Sequence, residues 1–127
     1  MPLHSVYFTA LPCYTQKKSK WGETMNNNVH SEAADRLFDA ILTLKDREEC
    51  YRFFEDICTV NELLSFTQRY EVALMLRRGL TYLEIAELTG ASTATISRVN
   101  RAINTGNGCY EMSIRRIGVL AGEEKHG

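Results

Sequence analysis

The four cysteines of this sequence, Cys13, Cys50, Cys58 and Cys109, include no CxxC pair, and its three histidines, His4, His30 and His126, cluster with nothing. That spacing argues against a zinc or disulfide framework. It fits a reduced, cytoplasmic setting in which Cys50 and Cys58 act as small buried apolar groups. No run approaches the roughly 20 apolar residues that a membrane-spanning helix needs. Neither a phosphate-binding loop nor a local Ser/His/Asp or Cys/His set is present, which argues against an enzyme, although distant residues can converge in a fold. No convincing alternating pattern marks a strand. Net charge is only −1, which does not by itself suggest nucleic acid. What is there is an ordinary globular composition, 44% hydrophobic and 24% charged over 127 residues, enough for one domain.

The charge is unevenly placed. Residues Glu32 to Glu71 hold ten acidic and five basic side chains, whereas Arg77 to Arg116 hold six arginines and three glutamates. A basic face on the second half is therefore expected. Residues 1–24 differ again: both prolines, Pro2 and Pro12, lie here, no acidic residue precedes Glu23, and "QKKSKWGET" reads as a polar tail. A secretory signal is not indicated, because no basic start leads into an apolar run. Trp21-Gly22-Glu23 requires the codons TGG-GGN-GAR, a purine-rich stretch just upstream of the Met25 codon that resembles a bacterial ribosome-binding site. Two readings stand: translated leader with the native start at Met25, or a flexible N-terminal extension.

From Ser31 onward the periodicity is helical, and the fold class expected is all-α with about six helices. Leu37, Phe38, Ile41, Leu42 and Leu44 form one apolar stripe. Asp46 and Glu49 can cap a second helix carrying Cys50, Phe53, Phe54, Ile57 and Cys58. Thr59 and Glu62 form a capping box for a longer helix through Leu63, Leu64, Phe66, Tyr70, Ala73, Leu74 and Leu76. Arg77 and Arg78 complement the dipole at its end, and Gly79 can terminate it. Thr81 and Glu84 repeat the box, and Ser92 is an N-cap candidate. "NTGNG" (104–108) is a loop, and a last helix from about Tyr110 to Leu120 carries Met112, Ile114 and Ile117. The first three apolar faces are broad for so small a domain. They can pack within one chain or be buried in a homodimer.

The stretch "TYLEIAELTGASTATISRVNRA" contains the spacing Ala86-x3-Gly90-x5-Ile96, with Ile85 and Leu88 expected in the same small core. A helix-turn-helix has that requirement: a small residue where helices cross, a turn tolerant of positive φ, and a branched anchor on the second helix. An ordinary pair of packed helices satisfies it as well. The second helix opens with small hydroxyl and methyl groups. At the leading end of a recognition helix these admit the backbone close to the bases. Ser92, Thr93, Thr95 and Ser97 can bond to base edges or phosphates, Ala94 can meet a thymine methyl, and backbone N–H groups favour a phosphate. Arg98 and Arg101, one turn on, can reach phosphate or a ligand; Arg101 is equally a solvated surface charge.

These residues, and "LTLKDREECYRFFEDICTVNELLSFTQRYEVALMLRRGLTYLEIAELTGASTATISRVNRAIN" around them, resemble the tryptophan repressor superfamily, and within it the YerC/YecD type of TrpR-related bacterial protein. The resemblance covers roughly Asp35 to Tyr110, and its most specific part is "LTGASTATISRVNRAIN". It implies an intertwined homodimer whose helix-turn-helix units read the halves of a palindromic operator in double-stranded DNA. It also implies a transcriptional regulator, usually a repressor, without catalytic activity. In the tryptophan-responsive member two arginines sandwich an indole, and Arg69 and Arg98 match them, with Thr59 matching a threonine supplied by the partner chain. A possible cofactor is thus a small aromatic effector; structural ion pairs of Arg69 and Arg98, including pairs with an acidic residue of the other subunit, are the alternative. Val99 and Ala102 replace a glycine and a serine of that member, and Val99 is expected to project toward the effector, which argues against tryptophan itself. Leu83 and Ala86 replace basic residues, and Glu87 adds negative charge, so modest DNA affinity with a shallow salt slope is expected.

The expected organisation is a flexible or non-native extension over 1–28, a helical DNA-binding domain over 29–121 with the helix-turn-helix at about 81–103, and a polar tail over 122–127. A second function stands beside DNA reading: a protein-interaction module that keeps the helix-turn-helix shape.

Overall fold

A computed structural model describes residues 29–126, and side-chain surroundings as far as residue 118. The expected extension, with its choice between Met1 and Met25, lies outside them. Six helices follow one another: α1 (Glu32–Leu42), α2 (Arg47–Ile57), α3 (Val60–Arg77), α4 (Tyr82–Thr89), α5 (Thr93–Thr105) and α6 (Cys109–His126). No strand occurs among the described residues. The chain divides within α2, between Cys50 and Tyr51, into two compact units.

In the first unit, Ser31 caps α1 by accepting from the Ala34 amide at 3.1 Å. Asp46 caps α2 through the Glu49 amide at 2.8 Å. The return bond lands one residue earlier than a regular box would place it, since the Lys45 amide donates to Glu49 at 2.9 Å. Neither α1 nor α2 has a buried residue in the single chain. Phe38 is 56% exposed and Leu42 81%.

The second unit is held by a small apolar core where α3, α4 and α5 meet. Val72 and Ala73 of α3, Ile85 of α4, Ala91 of the turn, and Ile96 and Val99 of α5 are buried. Each large branched member contributes roughly 1.5–3 kcal/mol by leaving water. The other two expected capping boxes are formed regularly: Thr59 with Glu62 starts α3, and Thr81 with Glu84 starts α4. Gly79 (φ 86°) follows α3, and Gly90 (φ 72°) ends α4.

Two expectations are corrected here. Leu88 does not join the core and is 66% exposed. The inward stripe of α4 is Ile85 with Ala86, and Leu88 falls on its flank, lining an open groove of about 350 Å³ with Leu64, Thr67, Gln68, Glu71, Met75 and Thr89. The last helix starts at Cys109 and runs to His126, so residues 122–126, expected as a polar tail, continue it. Its first two turns are tied to α3. Tyr70 and Ser113 share a 2.8 Å hydrogen bond, and Arg77, expected only to complement a helix end, pairs with Glu111.

Candidate nucleic-acid interface

The turn between α4 and α5 is built from short polar side chains. Thr89 donates its hydroxyl to the Ile85 carbonyl at 2.6 Å and accepts from the Ala91 amide at 3.1 Å. Gly90 supplies the left-handed step, and its amide donates to Ala86 at 2.9 Å. Ser92 then caps α5 through the Thr95 amide at 3.2 Å, and the Ser92 and Thr95 hydroxyls lie 3.0 Å apart. Local sequence alone fixes this geometry, which is why the spacing was legible.

Burial divides α5 into two sides. Ile96 and Val99 face the core at 0% and 1% exposure. Ser92, Thr93, Ala94, Arg98 and Arg101 are exposed, and Thr95 and Ser97 are half-buried. The expected DNA-facing residues therefore share one end and one side of a helix anchored from behind. Thr95 is the least free of them, because its amide and hydroxyl both engage Ser92.

The electrostatics single out the same end. Each of the other five helices carries an acidic residue in its first turn: Glu32 and Asp35, Glu48 and Glu49, Glu62, Glu84, and Glu111. α5 has none. Its positive end is left without an internal counter-charge, the condition that favours an incoming phosphate. Arg98 and Arg101 have no carboxylate partner among the described residues, where the ion pair found is Arg77–Glu111. The start of α4 is different. The Glu84 carboxylate occupies it, held below its ordinary range by the Thr81 backbone N–H and then by the Thr81 hydroxyl. On α4, Leu83 is 71% exposed, Glu87 is exposed, and Ala86 packs against the core.

Two of the three effector candidates are engaged in other contacts. The Arg69 guanidinium lies over the Phe66 ring, 5.4 Å from its centre. Thr59 closes its capping box by accepting from the Glu62 amide at 3.2 Å. Arg98 is exposed on α5. Val99, expected to project toward an effector, packs into the core instead. Within the single chain neither Arg69 nor Arg98 pairs with a carboxylate among the described residues, which leaves open the alternative of an ion pair with the other subunit.

Sequence reasoning missed Asn100 and Asn104, whose side chains meet along α5 at 3.4 Å. It also missed the α3–α6 contacts of Tyr70, Ser113 and Glu111. Those partners lie 43 and 34 residues apart, and no local pattern announces them.

The fold and this geometry define an all-α helix-turn-helix protein. A family model described as Trp repressor protein matches residues 32–117, and the chain belongs to that family, one of transcriptional regulators. It is 57% identical over 91 residues to YerC, an uncharacterized protein of Bacillus subtilis, across 72% of this chain and 88% of that one. The solved structure of a TrpR-like protein from Eubacterium eligens shares 60% identity with a TM-score of 0.70, covering 73% of this chain and 96% of the other. A candidate Trp repressor from Staphylococcus aureus shares 54% identity with a TM-score of 0.69, over 71% and 90% of the two chains. No helix among the described residues is long and apolar enough to cross a membrane.

Proposed function

We propose that the chain is a sequence-specific DNA-binding transcriptional regulator, a repressor, that reads the major groove as a homodimer. The observation that carries this reading is the leading end of α5. It is slim, exposed, free of acidic residues in its first turn, and braced from behind by Ile96 and Val99. Thr93, Ala94 and Ser97 are suited to base edges, and Arg98 and Arg101 to phosphate or guanine. Dimerisation is supported by the apolar side chains that one chain leaves in water: Phe38, Leu42, Ile57 and Leu64 are each at least half exposed. Covering them is worth roughly 25 cal/mol per Å² of apolar surface.

The outer side of α4 favours a second reading, a protein-interaction module, because Leu83 and Glu87 stand where a helix crossing a DNA backbone would benefit from positive charge. Selection from random duplexes, followed by binding at several salt concentrations, separates the two. Enrichment of a palindromic sequence with falling affinity at higher salt supports DNA reading. Absence of any enriched sequence supports the interaction module.

For the effector, we propose that an aromatic ring would enter between Arg69 and Arg98 only by displacing Phe66 from Arg69, with Thr59 contributed by the partner subunit.

A further inference from the structure

We propose that Tyr70 and Ser113 are positioning residues for α5, acting as a clamp that fixes α6 against α3 and so closes the back of the DNA-reading helix. The inference rests on the proposed DNA reading for its functional consequence, and on the packing alone for its mechanics.

The chain leaves α5 by a tight exit. The Gly106 amide donates to the Ala102 carbonyl at 3.0 Å, and a Cβ at Gly106 would lie 2.4 Å from that oxygen. Gly108 then takes φ 76° and α6 begins at once. One residue into α6, Tyr110 packs against the core that contains Val99, alongside Ile103 of α5. The seating of Tyr110 thus decides how firmly the second half of α5 is backed.

α3 seats Tyr110 in two ways. The Tyr70 and Tyr110 rings lie 6.0 Å apart, inclined by 33°, within the range of favourable aromatic pairs. A relay of hydroxyls runs beside them. Ser113 donates its one proton to the Tyr110 carbonyl at 2.9 Å. The Tyr70 hydroxyl must therefore be the donor in the 2.8 Å bond to Ser113. Each bond polarises the next. Seven residues further along α3, about 10 Å by helical rise, Arg77 holds Glu111. Two grips at different heights resist rotation of α6 where one would not. Glu111 is partly exposed and its pair screened, so the half-buried relay carries more of the hold.

Hydrogen exchange of the full chain, with and without its selected duplex, tests this on Tyr70→Phe, Ser113→Ala and Ser113→Thr. Tyr70→Phe keeps the ring and removes only the donor. The expected result is amide exchange over Val99–Thr105 faster by about threefold to tenfold, the effect of one lost half-buried hydrogen bond. Exchange in α4 stays unchanged. Ser113→Ala has the same effect, the double variant adds nothing to it, and Ser113→Thr restores protection. Duplex dissociation accelerates several-fold while the salt slope stays that of the wild type, since no DNA contact is removed. Unchanged exchange in α5, or an equal rise throughout α3, α4 and α5, overturns the clamp. Failure of the wild type to select any duplex overturns the DNA reading instead, and exchange in the free protein still decides the clamp.

Discussion

Arg98 is the side chain on which the DNA reading is most exposed to test. It sits one turn behind the tip of α5, open to solvent, with no acidic partner among the described residues. Arg98→Ala should weaken binding to the selected duplex by about 1–3 kcal/mol, measured by gel shift; unchanged affinity removes it from the interface. Glu84 gives a second residue-level test, in pH. Its carboxyl is held below its ordinary value of 4.5 by Thr81. A depressed folded-state pKa means that the stabilisation is present above the unfolded value and is lost as pH falls through the folded one. Glu84→Gln should therefore flatten the acid limb of the stability profile below about pH 4.5, read from denaturation midpoints between pH 7 and pH 3. The stack of Arg69 on Phe66 supplies a third. With Arg69 stacked on Phe66 and the serine hydroxyl of the tryptophan-responsive member replaced by Ala102, titration of the protein with tryptophan by calorimetry should give no saturable heat, and a saturable signal would restore tryptophan as the effector.

At the scale of the helix, what could be read in the sequence was what short-range chemistry decides. Thr59 with Glu62, Thr81 with Glu84, Ser92, and the left-handed turn at Gly90 all involve partners within four residues, so spacing alone announces them. The anchoring of α5 by Ile96 was legible for the same reason. Ile96→Ala should cost about 2–5 kcal/mol of stability, measured by urea denaturation, and a cost below 1 kcal/mol would mean that α5 is not anchored there. What was not legible depends on how faces are turned in three dimensions. Leu88 looks like a core residue by type, yet α4 turns Ile85 and Ala86 inward, which leaves Leu88 on the flank. The polar run after Leu120 looked like a tail by composition, but its residues tolerate a helix once Tyr110 and Ser113 have seated the first turns of α6. That Ser92, Thr93, Ala94, Thr95, Ser97, Arg98 and Arg101 would share one end and side of a helix was legible from their spacing, whereas their differing exposure was not. Only the structure shows Thr95 and Ser97 half-buried while Thr93 and Ala94 stand free.

For the whole molecule, the distribution of apolar surface matters more than any single contact. Among the described residues the buried core is six residues, all between Val72 and Val99. α1 and α2 contribute none of them, although their sequences carry phenylalanine, leucine and isoleucine at helical spacing. A second copy of the chain is the partner that family membership and these uncovered faces suggest. Gel filtration with light scattering at micromolar concentration should report twice the mass of one chain, and a stable monomer would contradict the dimeric reading. Phe38→Glu should shift that mass toward one chain without changing the α3–α5 core.

The two-sided division of α5 has a consequence for how such a protein could be redirected. Ile96 and Val99 hold the rod in place from one side, while Thr93, Ala94 and Arg98 face outward from the other, so on the proposed DNA reading adhesion to the scaffold and choice of target are written in separate alphabets. Exchanging the outward letters should retune operator preference and leave folding intact, which makes this helix a natural cassette for transplanting new specificities.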